Sequence, residues 1–281
     1  MNKVLLVTSS SCLVVGFFIG FAYTNSRNRD FIKEQTEKAR AEAFANAGTT
    51  PTTTGGGVPQ GTPPSDAIHQ NPNVDTAIKE AAANRGDYEK QKTIGEFLAQ
   101  SGKIAEAREC FEAAVKLKPD DWRSTAILAF MLYQEKKYPE SISRYEQAYK
   151  MKPDEPQIIL GLANAHFDVK HWEDAAKWYE QVLKLTPSDV NVITDLGLTY
   201  YYREPKQTAK AIEYFKKSLS LEPNHPQTLF NYSLVLIETN QTDQAKEMVA
   251  KFEKAMPNAP EVAQLKQKLA QGNTTGNIPS H

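Results

Sequence analysis

The chain has 281 residues, 40% of them hydrophobic and 24% charged, with 33 Lys and Arg set against 34 Asp and Glu. A formal net charge of −1 with interspersed signs excludes the basic patches that hold nucleic acid. The two cysteines, Cys12 and Cys110, fall in unrelated segments, which excludes a disulfide framework and any cysteine-based metal-ligand spacing.

Residues 4–23 read VLLVTSSSCLVVGFFIGFAY, a run without a formal charge. As a helix it would span about 30 Å, the thickness of a bilayer's hydrocarbon core, and Tyr23, Asn25, Arg27 and Arg29 suit the membrane interface at its end. The expectation is one transmembrane helix, a single-pass anchor in the cell membrane or, in a bacterium, the inner membrane. The competing reading is a signal peptide cleaved at Gly20-Phe21-Ala22. The anchor is favoured because the apolar run reaches that site and basic residues come at once after it. A lipoprotein signal at Cys12 is disfavoured by Ser9, which stands where an apolar residue is needed. Gly16 and Gly20 form a small-xxx-small pair that would let two such helices pack closely, so homo-oligomerisation stays open. Lys3 against Arg27, Arg29, Lys33 and Lys38 argues for a cytoplasmic C-terminal part. A single N-terminal anchor more commonly exports the domain behind it, so the side of the membrane is left open.

Residues 24–46 are a charged juxtamembrane segment. Threonine, proline and glycine dominate 47–73, where Val58 is the one large apolar residue of AGTTPTTTGGGVPQGTPPSD. Such a stretch cannot bury enough surface to offset its ordering entropy, which predicts a disordered linker. A short helix is expected within 74–87, stopped by Gly86.

An internal repeat then organises the chain. Pro119, Pro153, Pro187, Pro223 and Pro257 are 34, 34, 36 and 34 residues apart. Twelve residues before each stands Ala107, Ser141, Ala175, Ala211 or Ala245, and eight before stands Phe111, Tyr145, Tyr179, Phe215 or Val249. Each unit reads as two helices joined by a short polar break. The first carries apolar residues at i, i+3, i+4 and i+7, such as Thr125, Leu128, Ala129 and Leu132. The second places a small residue where the helices cross and an aromatic one turn later to fill the space beside it. Proline ends the second helix by pushing its predecessor out of α space, and Asp120, Asp154, Ser188, Asn224 or Asn258 is expected to cap the next. A single pair cannot bury its own apolar face, so the units must stack.

These residues resemble the tetratricopeptide repeat, with Gly95 and Gly197 at the family's small position in the first helix, Ala129, Ala163 and Ser233 as its alternatives, and Leu128, Leu162 and Leu196 before it. The resemblance covers about 88–257 and implies an all-α solenoid of five helix-turn-helix repeats, 88–121, 122–155, 156–189, 190–225 and 226–258. A capping helix over 259–271 and a disordered tail over 272–281 complete the expected organisation, Gly272 serving as the helix stop. Two departures stand out: the fourth unit has two extra residues around Glu204-Pro205-Lys206, and the fifth has Val249 for the usual aromatic.

The resemblance further implies peptide binding along a concave surface lined by the first helices. Carried onto this chain, those positions are Phe130, Tyr133, Asn164, Phe167, Leu198, Tyr201, Tyr202, Phe230, Asn231, Leu234 and Ile237. A core role competes with a binding role at each, since first helices touch neighbours on two sides. The lysine set of the chaperone-tail clamp is missing; the first unit offers Glu89, Lys92 and Glu96. No phosphate loop, nucleophile elbow or zinc motif is present, and no cofactor is expected. His166 and His171, five apart, have the wrong interval for one helix face, and no metal site is expected there. The implied function is a membrane-anchored, non-enzymatic scaffold for protein or peptide partners. Two alternatives keep the same layout: an assembly factor like the accessory proteins of c-type cytochrome maturation, and a self-assembling structural scaffold.

Overall fold

The computed structural model describes residues 72–275, and these form twelve α-helices with no strand. The apolar run 4–23 with Gly16 and Gly20, the juxtamembrane segment and the linker up to residue 71 lie outside the described residues, as does the tail from 276. Among the described residues no helix is long and apolar enough to cross a membrane. The chain divides into two compact units, up to Met131 and from Leu132.

The first unit holds α1 (Pro72–Ala83), α2 (Tyr88–Gln100), α3 (Ile104–Leu117) and most of α4 (Trp122–Gln134). Helix α1 begins two residues inside the stretch read as linker. Pro72 sits at its first position, where a missing N–H costs nothing and a fixed φ suits the helix. The second unit continues with α5 (Tyr138–Met151), α6 (Pro156–Asp168), α7 (Trp172–Leu185), α8 (Val190–Tyr202), α9 (Thr208–Leu221), α10 (Pro226–Glu238), α11 (Thr242–Ala255) and α12 (Pro260–Thr275). Two helices lead up to each repeat proline, from α2 and α3 to α10 and α11. Gly272, expected to stop the last helix, lies within α12 instead. A glycine ends a helix when it turns left-handed; in helical geometry it only weakens the helix, by about 1 kcal/mol.

Each hairpin closes on the small residue of its second helix. Ala107, Ser141, Ala175, Ala211 and Ala245 are fully buried, as are Phe111, Tyr179 and Phe215 one turn on. The first helix approaches so closely that a Cβ on Gly197 would stand 3.0 Å from the Phe215 ring and 3.3 Å from the Ala211 carbonyl oxygen. A Cβ on Gly95 would meet the Phe111 ring at 2.9 Å.

Two kinds of turn join the helices. Between repeats, the residue before proline is extended, as at Lys118 (φ −137°, ψ 80°) and Met256 (φ −136°, ψ 68°). Its carbonyl accepts from the N–H three residues on, at Asp121, Asp189, His225 and Ala259. Proline thus fills the second position of a β-turn, and the cap falls one residue later than expected. Asp121 accepts from the Ser124 N–H at 3.0 Å, and Asp189 from the N–H groups of Asn191 and Val192, whereas Asp120 and Ser188 are turn residues. Within repeats, Gly102, Lys136, Lys170 and Asn240 are left-handed, with φ between 56° and 76°. The next residue donates back to a carbonyl five positions earlier (His171 to His166, 2.9 Å), the paired bonds of a Schellman motif. The fourth repeat replaces this with the longer turn Arg203–Gln207, as its two extra residues predict.

Between the last two repeats lies a polar cluster that the sequence patterning does not announce. Thr194, Ser218 and Thr228 hydroxyls lie 2.6–3.1 Å apart, and His225 bridges from Thr228 (2.7 Å) to Asn191 (3.2 Å). Burial holds the His225 imidazole below its ordinary value of 6.5, with Glu222 and Asp189 pulling the other way. Helix α12 covers the far end with Val262 and Leu265, both buried.

This packing carries two testable outcomes. Gly197→Val has no room beside Phe215 and is expected to cost about 1–3 kcal/mol, read as a lower urea midpoint at unchanged slope. Because the unfolded chain protonates His225 more readily than the folded one, stability is complete above about pH 6.5 and falls as the pH drops below it. Thermal melts at about pH 7 and pH 5 should show a smaller loss in His225→Asn than in the native protein.

Candidate binding face

In the second unit the first helix of each repeat is enclosed by its hairpin partner and by the preceding repeat. Residues Val192 to Tyr201 of α8 are buried without interruption. This confines any working face to narrow rows of positions, and the residues singled out from the sequence divide among them.

Tyr133, Phe167, Tyr201 and Ile237 occupy one row at the C-terminal ends of the first helices. Three are buried and Ile237 is half-buried. Each of the three reaches the last residue of the next first helix. The Tyr133 hydroxyl donates to the Asp168 carboxylate, the Phe167 ring meets the Tyr202 ring edge-on at 6.3 Å, and the Tyr201 hydroxyl donates to Glu238 at 2.6 Å. Burial first, and then the Glu238 carboxylate, push the Tyr201 phenol well above its ordinary value, keeping it a neutral donor. These aromatics tie neighbouring repeats together. Tyr202 differs in being 44% exposed, stacked on Trp172 with ring centroids 5.5 Å apart.

Asn164, Leu198 and Leu234 form a second row, to which Phe130, half-buried in the first unit, corresponds by repeat position. The Asn164 carbonyl accepts from the buried Tyr179 hydroxyl at 2.6 Å, so this amide braces its own hairpin. Leu198 is 9% exposed and Leu234 half-buried. Polar groups accompany them: Asn231 is 9% exposed, and Gln227 donates to Asp195 at 3.4 Å. Phe230 does not join this row. Its ring tilts against Phe252 of α11 at 5.6 Å, on the hairpin side of α10.

His166 and His171 meet across a turn, their rings 5.8 Å apart. Their interval is wrong for one helix, but they sit on two: His166 in the last turn of α6 and His171 just before α7. The left-handed Lys170 folds the chain back, bringing the rings to 5.8 Å, and Asp174 of α7 joins them. One ligand atom from each of the three lies within 4.8 Å of the others. Burial lowers His166 below its ordinary value, favouring the neutral ring. The signal available in the sequence was a turn, which resets helical spacing. A further cleft of about 770 Å³ in the first unit is lined by residues of α1, α2 and α3, among them Cys110. Burial pushes that thiol up to about 11, so it is not a thiolate nucleophile.

Two tetratricopeptide-repeat family models match the sequence, one over residues 95–156 and the other over 132–194 and 202–269, together more than half of the chain. No curated protein matches it. Among solved structures, YrrB, described as a TPR protein with an unusual peptide-binding site, is 14% identical with a TM-score of 0.56, over 69% of this chain and 99% of that one. MamA from Desulfovibrio magneticus RS-1, from its residue 41 onward, is 15% identical with a TM-score of 0.52, over 69% and 98%. Pseudomonas aeruginosa pilF is 19% identical with a TM-score of 0.51, over 72% and 91%. At these identities the likeness is one of fold. With its five hairpins, their small crossing residues and the family match together, the chain belongs to the tetratricopeptide-repeat family.

Proposed function

We propose that this protein is a membrane-tethered, non-catalytic adaptor that holds an extended segment of a protein partner against the first helices of its later repeats. Tetratricopeptide repeats mediate protein–protein interaction. The observation that carries the finer reading is the strip formed by Leu198, Leu234 and Asn231, with Asp195 and Gln227 beside it and Tyr202 at the helix end. Apolar side chains there offer anchoring area, and the amides and carboxylate offer partners to a peptide backbone. Exposed aromatics contribute most to such contacts because they bury a large area at low entropic cost. YrrB's described peptide-binding site supports the same kind of use. The tether rests on the length and apolarity of residues 4–23.

In-cell crosslinking with mass spectrometry tests the adaptor reading on the full chain. A Tyr202→Ala, Leu234→Ala variant changes an exposed and a half-buried residue, and should fold while losing its partners' crosslinks by about tenfold, the effect of about 1.4 kcal/mol. Unchanged crosslinks would move recruitment off this strip, and crosslinks only between copies of the chain would turn the reading to self-assembly. The tether is tested separately: after alkaline carbonate washing the chain should remain with the membrane fraction, and Val15→Arg should release it.

A further inference from the structure

The repeats supply their own comparison for the turn of the third unit. At the position of His166 the other repeats carry Leu98, Leu132, Tyr200 and Leu236, all buried, and the three leucines occupy the core. At the position of His171 the repeats with the same turn carry Lys103, Lys137 and Gln241. Both changes to histidine fall in one repeat, and the Schellman turn brings the two rings to 5.8 Å, tilted by 40°.

A histidine in a leucine's place calls for a reason, because its ring introduces polar atoms into packed surroundings. The Nδ1 of His166 is buried and makes no hydrogen bond to protein among the described residues, an arrangement that is costly unless something else satisfies the ring. The folded turn itself does not require it, since leucine serves the same turn three times.

We propose that His166, His171 and Asp174 form a binding site for a divalent first-row transition-metal ion of the Zn²⁺ class. Two imidazoles and one carboxylate are the donors such ions prefer over Mg²⁺ or Ca²⁺, which take all-oxygen sets. The mutual spacing within 4.8 Å has to tighten to about 3.3 Å around a tetrahedral ion with bonds of about 2.0–2.1 Å. Half-exposed side chains at a helix end can make that adjustment. Asp174 already meets the Lys177 ammonium at 3.2 Å, and Lys177, with a side chain 73% exposed, can swing into solvent as the ion takes its place. Glu146 adds negative charge near His166 and favours a cation there. Three protein ligands leave a fourth position for water or for a side chain of a bound protein. The ion would clamp α6 to α7 at the turn beside Phe167 and Trp172, whose rings lie 4.8 Å apart.

The test is isothermal titration of Zn²⁺ into the full-length protein, without a polyhistidine tag, together with Co²⁺ absorption spectra. One ion per chain is expected, with the visible bands of a nitrogen- and oxygen-ligated cobalt. Losing an outer-shell partner of a metal site costs about 10–100-fold, so His171→Ala and Asp174→Asn should each weaken binding by at least about tenfold. His166→Leu installs the residue of the sister repeats, so it should fold at least as well while abolishing the site. Absence of binding in the native protein overturns the proposal. So does binding of undiminished affinity in His166→Leu, which would assign the ion to His69, His225 or His281.

Discussion

Everything in this fold depends on how closely two helices of a hairpin can approach. A Cβ at Gly197 would stand closer to Phe215 than most side chains tolerate, and the alanines and serine at the crossing position of the second helices are fully buried. That contact lets a larger side chain one turn away, an aromatic ring in all but the fifth repeat, seal the gap and make the hairpin a slab with two apolar sides. Slabs of this kind must stack, and in the second unit their stacking buries most of α6, α8 and α10. The constraint therefore reaches the binding face: close packing leaves only narrow rows of side chains to meet a partner.

Tyrosines at the ends of the first helices work within the same constraint. Tyr133 and Tyr201 present hydroxyls to the carboxylates of Asp168 and Glu238 in the next repeat. A ring buried on one side and a polar tip at the edge suit a seam that is apolar within and wet at its rim. Such bonds fix the stagger of one hairpin upon the next, which apolar contacts, being non-directional, leave loose.

Much of this is legible in the sequence. The prolines mark every repeat, and the small and aromatic positions identify the helix crossing without reference to the fold. Capping lies one residue beyond its expected place, because Asp120 and Ser188 sit in a β-turn whose geometry puts Asp121 and Asp189 at the helix start. Gly272 departs from expectation for a related reason, since glycine permits a left-handed stop without compelling one. Residues on the candidate face are harder to sort. Rows along a solenoid combine positions from different repeats, and the sequence does not say which row is sealed by a neighbour: Asn164 is taken by Tyr179, and Phe230 turns to Phe252. The convergence of His166, His171 and Asp174 is invisible to a rule about one helix, because the left-handed Lys170 joins two.

Helix α12 has a consequence beyond completing the stack. It lays Val262 and Leu265 over α10 and α11, then turns Lys266, Gln267 and Lys268 to solvent. A repeat ends in a surface made to receive another repeat, and without such a lid that surface would accept a second molecule, whose own end would accept a third. The closing helix therefore occupies the surface that a further repeat would need and turns a charged outer face to solvent in its place.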